Sequence, residues 1–144
     1  MSGYEPEGQE FESLQPRQLI AEEKYMRFLT RKLVKPEDLN ANNTLFGGRL
    51  MQWVDEEAVI YAAIEARHKK VVTKSISAID FVAPARQGDI VEIGMALKRV
   101  GSTSITLEVK VRDLTTQNII VEIAEMVFVC VNEDGKPVKH SLAK

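Results

Sequence analysis

Cysteine and histidine are scarce in this chain, and their scarcity removes several kinds of chemistry at the start. A single cysteine, Cys130, has no intrachain disulfide partner. Set inside an apolar run, it reads as a small core hydrophobe. The two histidines, His68 and His140, form no metal cluster with acids at ligand spacing and no triad with a serine. Ser75, Ser77, Ser102 and Ser104 lack a nucleophile elbow or a neighbouring base. A serine hydrolase and a metalloenzyme are therefore unsupported.

An excess of one charge is also lacking. Lys and Arg number 19 against 21 Asp and Glu, a net charge of −2 that is well mixed along the chain. That balance argues against a nucleic-acid footprint or an electrostatic membrane anchor. Basic clusters such as Arg67-His68-Lys69-Lys70 fit a solvated helix end. No run approaches the roughly 20 apolar residues of a membrane span. Met1 to Glu12 is acidic and has no signal-peptide regions, so the cytoplasm is the expected compartment.

What remains is an ordinary globular balance, 44% hydrophobic and 28% charged over 144 residues, enough for one domain with a real core. Residues 1–22 carry Gly3, Pro6, Gly8 and Pro16 among glutamates and glutamines, and are expected to form a flexible arm pinned at Phe11 or Leu14. Residues 23–144 are expected to be the single domain. Lys24 to Val34 reads as a first strand, stopped by Pro36. From Phe46 to Arg67 the apolar residues Leu50, Met51, Val54, Ala58, Tyr61 and Ala62 recur at spacings of three and four, which predicts one long helix, apolar on nearly every side around Ala58 to Ala63. Such a helix must be wrapped.

Four strand-like runs follow: Val71 to Val82, Asp89 to Val100, Thr103 to Asp113, and Ile119 to Asn132. In the second, Val91, Ile93, Met95 and Leu97 alternate with Glu92, Gly94, Ala96 and Lys98; the third repeats this pattern. Gly101-Ser102 predicts a tight hairpin between them, and Thr115 to Asn118 the next turn. The last run is apolar on both faces, with Val121, Ile123, Val127 and Val129 opposite Ala124, Met126, Phe128 and Cys130, as in a central strand or one covered by a partner. The predicted class is α+β, an antiparallel β-sheet wrapped around one long central α-helix.

The stretch Asn40-Ala41-Asn42-Asn43-Thr44-Leu45-Phe46-Gly47-Gly48 carries the strongest hint of chemistry. A loop ending in two glycines at the opening of a buried helix exposes bare N–H groups at the positive end of the helix dipole, where a carbonyl oxygen is stabilised. Asp55, Glu56 and Glu57 follow about two turns on. Successive helix residues point about 100° apart, so these acids cannot share one environment, and at least one should be buried or at an interface. Trp53 reads as a core or interface anchor.

The block Asn40 to Gly48, continued to Ala58, with Val71-Val72-Thr73-Lys74, Phe81-Val82-Ala83-Pro84, the Gln87-Gly88-Asp89 turn and Val100-Gly101-Ser102, resembles the acyl-coenzyme A hydrolases of the hotdog fold. The resemblance spans about Arg31 to Asn132. It implies an acyl-CoA thioesterase without cofactor, homodimeric with sites at the dimer interface, assembling further as a hexamer or tetramer. Many family members carry a catalytic aspartate three residues before the first glycine; here Thr44 stands there, with Asn43 where a glycine is usual. Others use an acid on the central helix, which implies Asp55 as catalytic base or nucleophile, then Glu56, then Glu57. The amides of Gly47 and Gly48, with Phe46, would face the carbonyl. Asn40 and Asn42 would orient water or substrate and Thr44 could orient a water, while Thr73, Lys74, Ser75, Arg86, Gly101, Ser102 and Ser104 fall where relatives contact coenzyme A. The alternative is a non-catalytic acyl-CoA binder or sensor. A hydratase, which needs an aspartate-histidine pair in this segment, ranks last.

Overall fold

The computed structural model describes residues 26–142. The expected arm over residues 1–22 lies outside the described residues. The first strand, β1 (Arg27–Leu33), ends just ahead of Pro36, which opens a single 3-10 turn over Pro36–Asp38. One helix follows, α1 (Gly47–Ala66), with Phe46 as N-cap. It stops at Arg67, whose φ of 54° is left-handed and turns the chain away after about 30 Å of helix.

The run expected as one strand from Val71 to Val82 is two: β2 (Val71–Ile76) and β3 (Ile79–Phe81). Then come β4 (Ile90–Val100), β5 (Ser104–Asp113) and β6 (Ile119–Cys130). All pairings are antiparallel, in the order β1-β4-β5-β6-β2, with β3 also paired to β6. The cause of the split lies in β6. β3 pairs with Val121 to Ile123, and β2 pairs with Met126 to Cys130, leaving Ala124 and Glu125 unmatched between them. Ser77 closes the gap from the other side, its backbone N–H donating to Glu125 O and its Oγ accepting from Glu125 N at 3.0 Å.

This irregularity also corrects the expected faces of the last strand. A two-residue period holds on either side of the slip but not across it. The helix-facing set is Val121 and Ile123, then Met126, Phe128 and Cys130, all nearly inaccessible. Against them α1 packs Leu50, Val54, Ala58, Tyr61 and Ala62. Fully burying one such large aliphatic or aromatic side chain contributes about 1.5–3 kcal/mol. Trp53 and Cys130 are part of this core, and burial pushes the Cys130 thiol above its ordinary range.

The opposite face of the sheet has its own buried acid. Glu92 on β4 is 3% exposed and accepts hydrogen bonds from Arg112 Nε at 2.9 Å and Arg31 Nε at 3.1 Å. Burial alone would raise its carboxyl, but the two guanidiniums outweigh that and hold it below the usual glutamate range. The Arg112 guanidinium also lies 3.5 Å from the Phe28 ring centroid. Phe28 fits there because its pairing partner is Gly94, where a Cβ would stand 2.6 Å from the ring.

At one end of the sheet, β2 is an edge with nearly all of its length exposed, including Val72 and Ile76. Among the described residues no helix is long and apolar enough to cross a membrane.

Candidate active site

The helix opening is held by a loop that bonds to itself. Asp38, buried at the end of the 3-10 turn, accepts from the Lys35 backbone N–H at 2.9 Å and pairs with Arg49 Nε at 3.1 Å, while its carbonyl accepts from Phe46 N at 2.8 Å. One acid thus ties the turn before the loop to the first turn of α1. Asn40 organises the loop between them. Its Oδ1 accepts from the N–H groups of Asn42 at 2.8 Å and Thr44 at 3.1 Å, and its Nδ2 donates to Thr44 Oγ1 at 3.0 Å. Asn43 sits at φ 61°, a left-handed position that asparagine tolerates, so it can stand where a glycine is usual. Thr44 forms a bridge with Arg86, and Leu45 N donates to Ala85 O at 2.8 Å, fixing the loop to the segment after β3.

From this anchorage the helix starts without a cap. Phe46 offers no side-chain hydrogen bond, and among the described residues no carbonyl accepts from the N–H groups of Gly47, Gly48 or Arg49. Such donors, at the positive end of a 20-residue helix, are of the kind that can stabilise an anion or an oxyanion. Gly48 lets the Phe46 ring close in, while the Phe81 ring lies at ordinary contact distance from Gly47. A Cβ on Gly48 would lie 2.7 Å from the Phe46 ring, and one on Gly47 would lie 3.4 Å from Phe81. Beside the opening runs a cleft of about 440 Å³, bounded by Gly47, Leu50, Phe81, Val82, Ala85 and Ile120, with Asn40 and Thr44 at its polar end.

The three acids meet three environments, as their spacing requires. Asp55 is half-buried and points toward β2, where Thr73 Oγ1 donates to its Oδ1 at 2.9 Å. Glu56 is exposed. Glu57 turns to the other side of the helix and accepts from Thr30 Oγ1 of β1 at 2.8 Å.

The expected site residues therefore fall into separate groups within one protomer. Asn40, Asn42, Thr44, Phe46, Gly47, Gly48 and Arg86 gather at the helix opening. Asp55 and Thr73 form a second group about 10 Å along the helix axis from Gly48. Lys74 and Ser75 lie exposed on the same edge strand, where a register shift between Thr73 and Ser75 leaves Lys74 as the extra residue. The Gly101 to Ser104 hairpin is not brought to the opening. Ser104 pairs with Val129 near the end of β6, whereas the opening lies by Ile120 at its start. His140 Nε2 contacts Ser104 O at 2.9 Å there. Asp38 escaped the sequence reading, although it follows Pro36 at a spacing that signals a capped turn. Phe81, quoted there only within the Phe81-Val82-Ala83-Pro84 block, stands at the end of a very short strand, 57% exposed.

Comparison with known proteins places this geometry. The model of the thioesterase superfamily matches residues 42–120. An uncharacterized acyl-CoA thioester hydrolase of Bacillus subtilis is 37% identical over 108 residues, covering 73% of this chain and 62% of that protein. The crystal structure of a hexameric thioesterase from Yersinia pestis superposes with a TM-score of 0.73 at 30% identity, covering 79% of this chain and 94% of that one. The acyl-CoA hydrolase of Staphylococcus aureus, solved in complex with butyryl coenzyme A and coenzyme A, superposes with a TM-score of 0.70 at 30% identity, covering 84% and 71%. That hydrolase has also been solved with alanine in place of an asparagine, an aspartate and a threonine. The chain belongs to the thioesterase superfamily and has its hotdog fold, the antiparallel sheet wrapped on one helix that the sequence implied.

Proposed function

We propose that this protein is an acyl-CoA thioesterase that hydrolyses the thioester to free carboxylic acid and coenzyme A, and that each site is shared by two protomers. The observation that carries the reading is the uncapped helix opening at Gly47 and Gly48 beside an open cleft. A thioester oxygen accepting from those amides gains negative charge as the carbonyl carbon is attacked, which is the charge that such donors stabilise best. Asp55 is the acid we assign. As base it takes a proton from the attacking water; as nucleophile it attacks the carbon directly, forming an acyl–Asp55 anhydride that water then hydrolyses to release the acid and restore the carboxylate. In either route the C–S bond breaks and coenzyme A leaves as its thiolate, to be protonated by solvent.

The shared site follows from reach. A base must stand within about 3 Å of the group it deprotonates, whereas Asp55 lies roughly 10 Å along the helix from its own Gly48. It points instead to β2, which among the described residues is an edge of the sheet. Pairing β2 with β2 of a second copy would satisfy that edge and set the two helices antiparallel across a two-fold axis, so that the Asp55 of one copy approaches the opening of the other. The hexameric relative from Yersinia favours assembly of such dimers into a hexamer. In the Staphylococcus hydrolase the replaced asparagine and aspartate are fifteen residues apart, the separation of Asn40 and Asp55 here. On this reading Asn40 shapes the loop and Thr73 orients the Asp55 carboxylate.

The test is thiol release from a series of acyl-CoA substrates. The wild-type protein should release coenzyme A, and Asp55→Ala should lose activity by about 10²-fold or more while keeping its oligomeric state. Tight acyl-CoA binding with no thiol released at any chain length would overturn the reading in favour of a sensor.

A further inference from the structure

A second groove lies on the other side of the helix from Asp55, between α1 and β1. Ile93 and Met95 of β4 form its floor, Leu29 of β1 stands on one side, and Ile60 and Ile64 of α1 stand on the other. Ile60 and Ile64 are one turn apart on the helix, and they and Leu29 are each more than half exposed. Thr30 Oγ1 and Glu57 are bonded to each other at 2.8 Å, and Arg27 and Tyr61 are already engaged. The groove therefore presents mainly carbon.

Its size limits what can fill it. At about 220 Å³ it is smaller than the roughly 300–1,000 Å³ of a small-molecule site. A stable contact with another protein buries about 800 Å² on each side, more than three aliphatic side chains provide. One or two side chains from a segment already tethered nearby suit it better.

The sequence supplies such a segment. Thr30 meets Glu57 at one point of the groove, and Arg27 and Ile64 line it further on, so β1 begins toward the C-terminal end of α1. Leu19 and Ile20 precede Arg27 by eight and seven residues. Seven extended residues span up to about 23 Å, whereas Ile60 and Ile64 are about 6 Å apart along the axis, so the chain can turn back and reach both. Closing that short loop costs less than bringing in Phe11 or Leu14 from farther back. Glu22 and Glu23 fall between the aliphatic pair and β1, and Arg67 and Lys69 stand exposed just past Ile64, so the charges along this approach are opposite.

We propose that the segment preceding β1 folds back on its own chain and seats Leu19 and Ile20 in this groove, over Leu29, Ile60 and Ile64. The docking does not depend on the acyl-CoA reading.

Hydrogen exchange on the full-length protein, read by mass spectrometry, tests it. Residues 17–25 should exchange at least about tenfold more slowly than an unprotected chain, the protection that one buried aliphatic side chain gives. Ile64→Asp puts a carboxylate into the groove at an exposed position, and Leu19→Ser with Ile20→Ser removes the occupant. Each should return residues 17–25 to unprotected rates while β4, β5 and β6 stay as protected as in the wild type. Unprotected exchange of residues 17–25 in the wild type, or protection that survives Ile64→Asp, would overturn the proposal. If Ile64→Asp lowers the oligomeric state in sedimentation and leaves exchange of residues 17–25 unchanged, a second copy covers the groove and the proposal falls.

Discussion

Replacing Gly47 with alanine should stabilise the fold and damage the site at once. Gly47 opens α1 and does not adopt a positive φ. A methyl group there meets the Phe81 ring at 3.4 Å, an ordinary van der Waals contact, and nothing closer. Within a helix, glycine is less favourable than alanine by up to about 1 kcal/mol, less at the first position. The variant should therefore unfold at the same temperature as the wild type or about 2–4 °C higher. Turnover should fall by about 10²-fold, because the methyl group occupies the space through which the thioester carbonyl reaches the amides. Gly48→Ala is the companion. Its methyl group would come 2.7 Å from Phe46 Cε2 and must displace that ring, so any stability gain should be smaller. Thermal unfolding and thiol release on the same preparations give both readings. Full activity in Gly47→Ala would refute the role of the amides; a loss of more than about 1 kcal/mol in stability would mean that packing alone requires glycine there.

Three further outcomes follow from the buried groups. Asp38→Ala strips the acceptor from the Lys35 N–H and the partner from Arg49, and should cost about 1–3 kcal/mol by denaturant titration; an unchanged midpoint would show that the loop does not depend on this acid. Glu92 has its folded carboxyl held below the unfolded value, so its contribution is complete above the unfolded carboxylate range and is lost as pH falls through the folded value. Stability of the wild type should therefore fall on the acid side more steeply than that of Glu92→Gln, and equal slopes would contradict the pairing with Arg31 and Arg112. Cys130, buried with its thiol pushed up, should react with a thiol reagent only at the rate of unfolding; fast labelling of the native protein would refute its burial.

Much of the fold was legible because its signals are local. The helix begins within one residue of where its glycines and apolar spacing put it and ends before the basic cluster, and β5 follows its alternation, whereas β4 is buried on both faces from Val91 to Leu97. The failure at β6 is instructive. A slip at Ala124 and Glu125 leaves a run apolar on both faces looking unbroken, and the pairings with β2, β3 and β5 reveal it. The same slip divides Val71 to Val82, a break that Ser77 makes by hydrogen bonding across strands rather than by any proline or glycine. At the site, the uncapped opening and the separate fates of the three acids could be reasoned from spacing. Asp38 could not, because its importance comes from burial and from a contact with Arg49, eleven positions away. Phe81 was visible only as part of the Phe81-Val82-Ala83-Pro84 block, and its place against Gly47 comes from the fold.

The claim on which the account turns is that one protomer supplies the amides and the other supplies Asp55. Mixing two impaired variants tests it. Asp55→Ala and Gly47→Ala are each unfolded, combined in equal amounts and refolded together. A two-fold dimer assembled at random leaves half of the dimers mixed, and each mixed dimer carries one site with neither defect, so activity should recover to about a quarter of wild type. Recovery no greater than the average of the two variants alone would contradict the account, because it would mean that both groups act within a single chain.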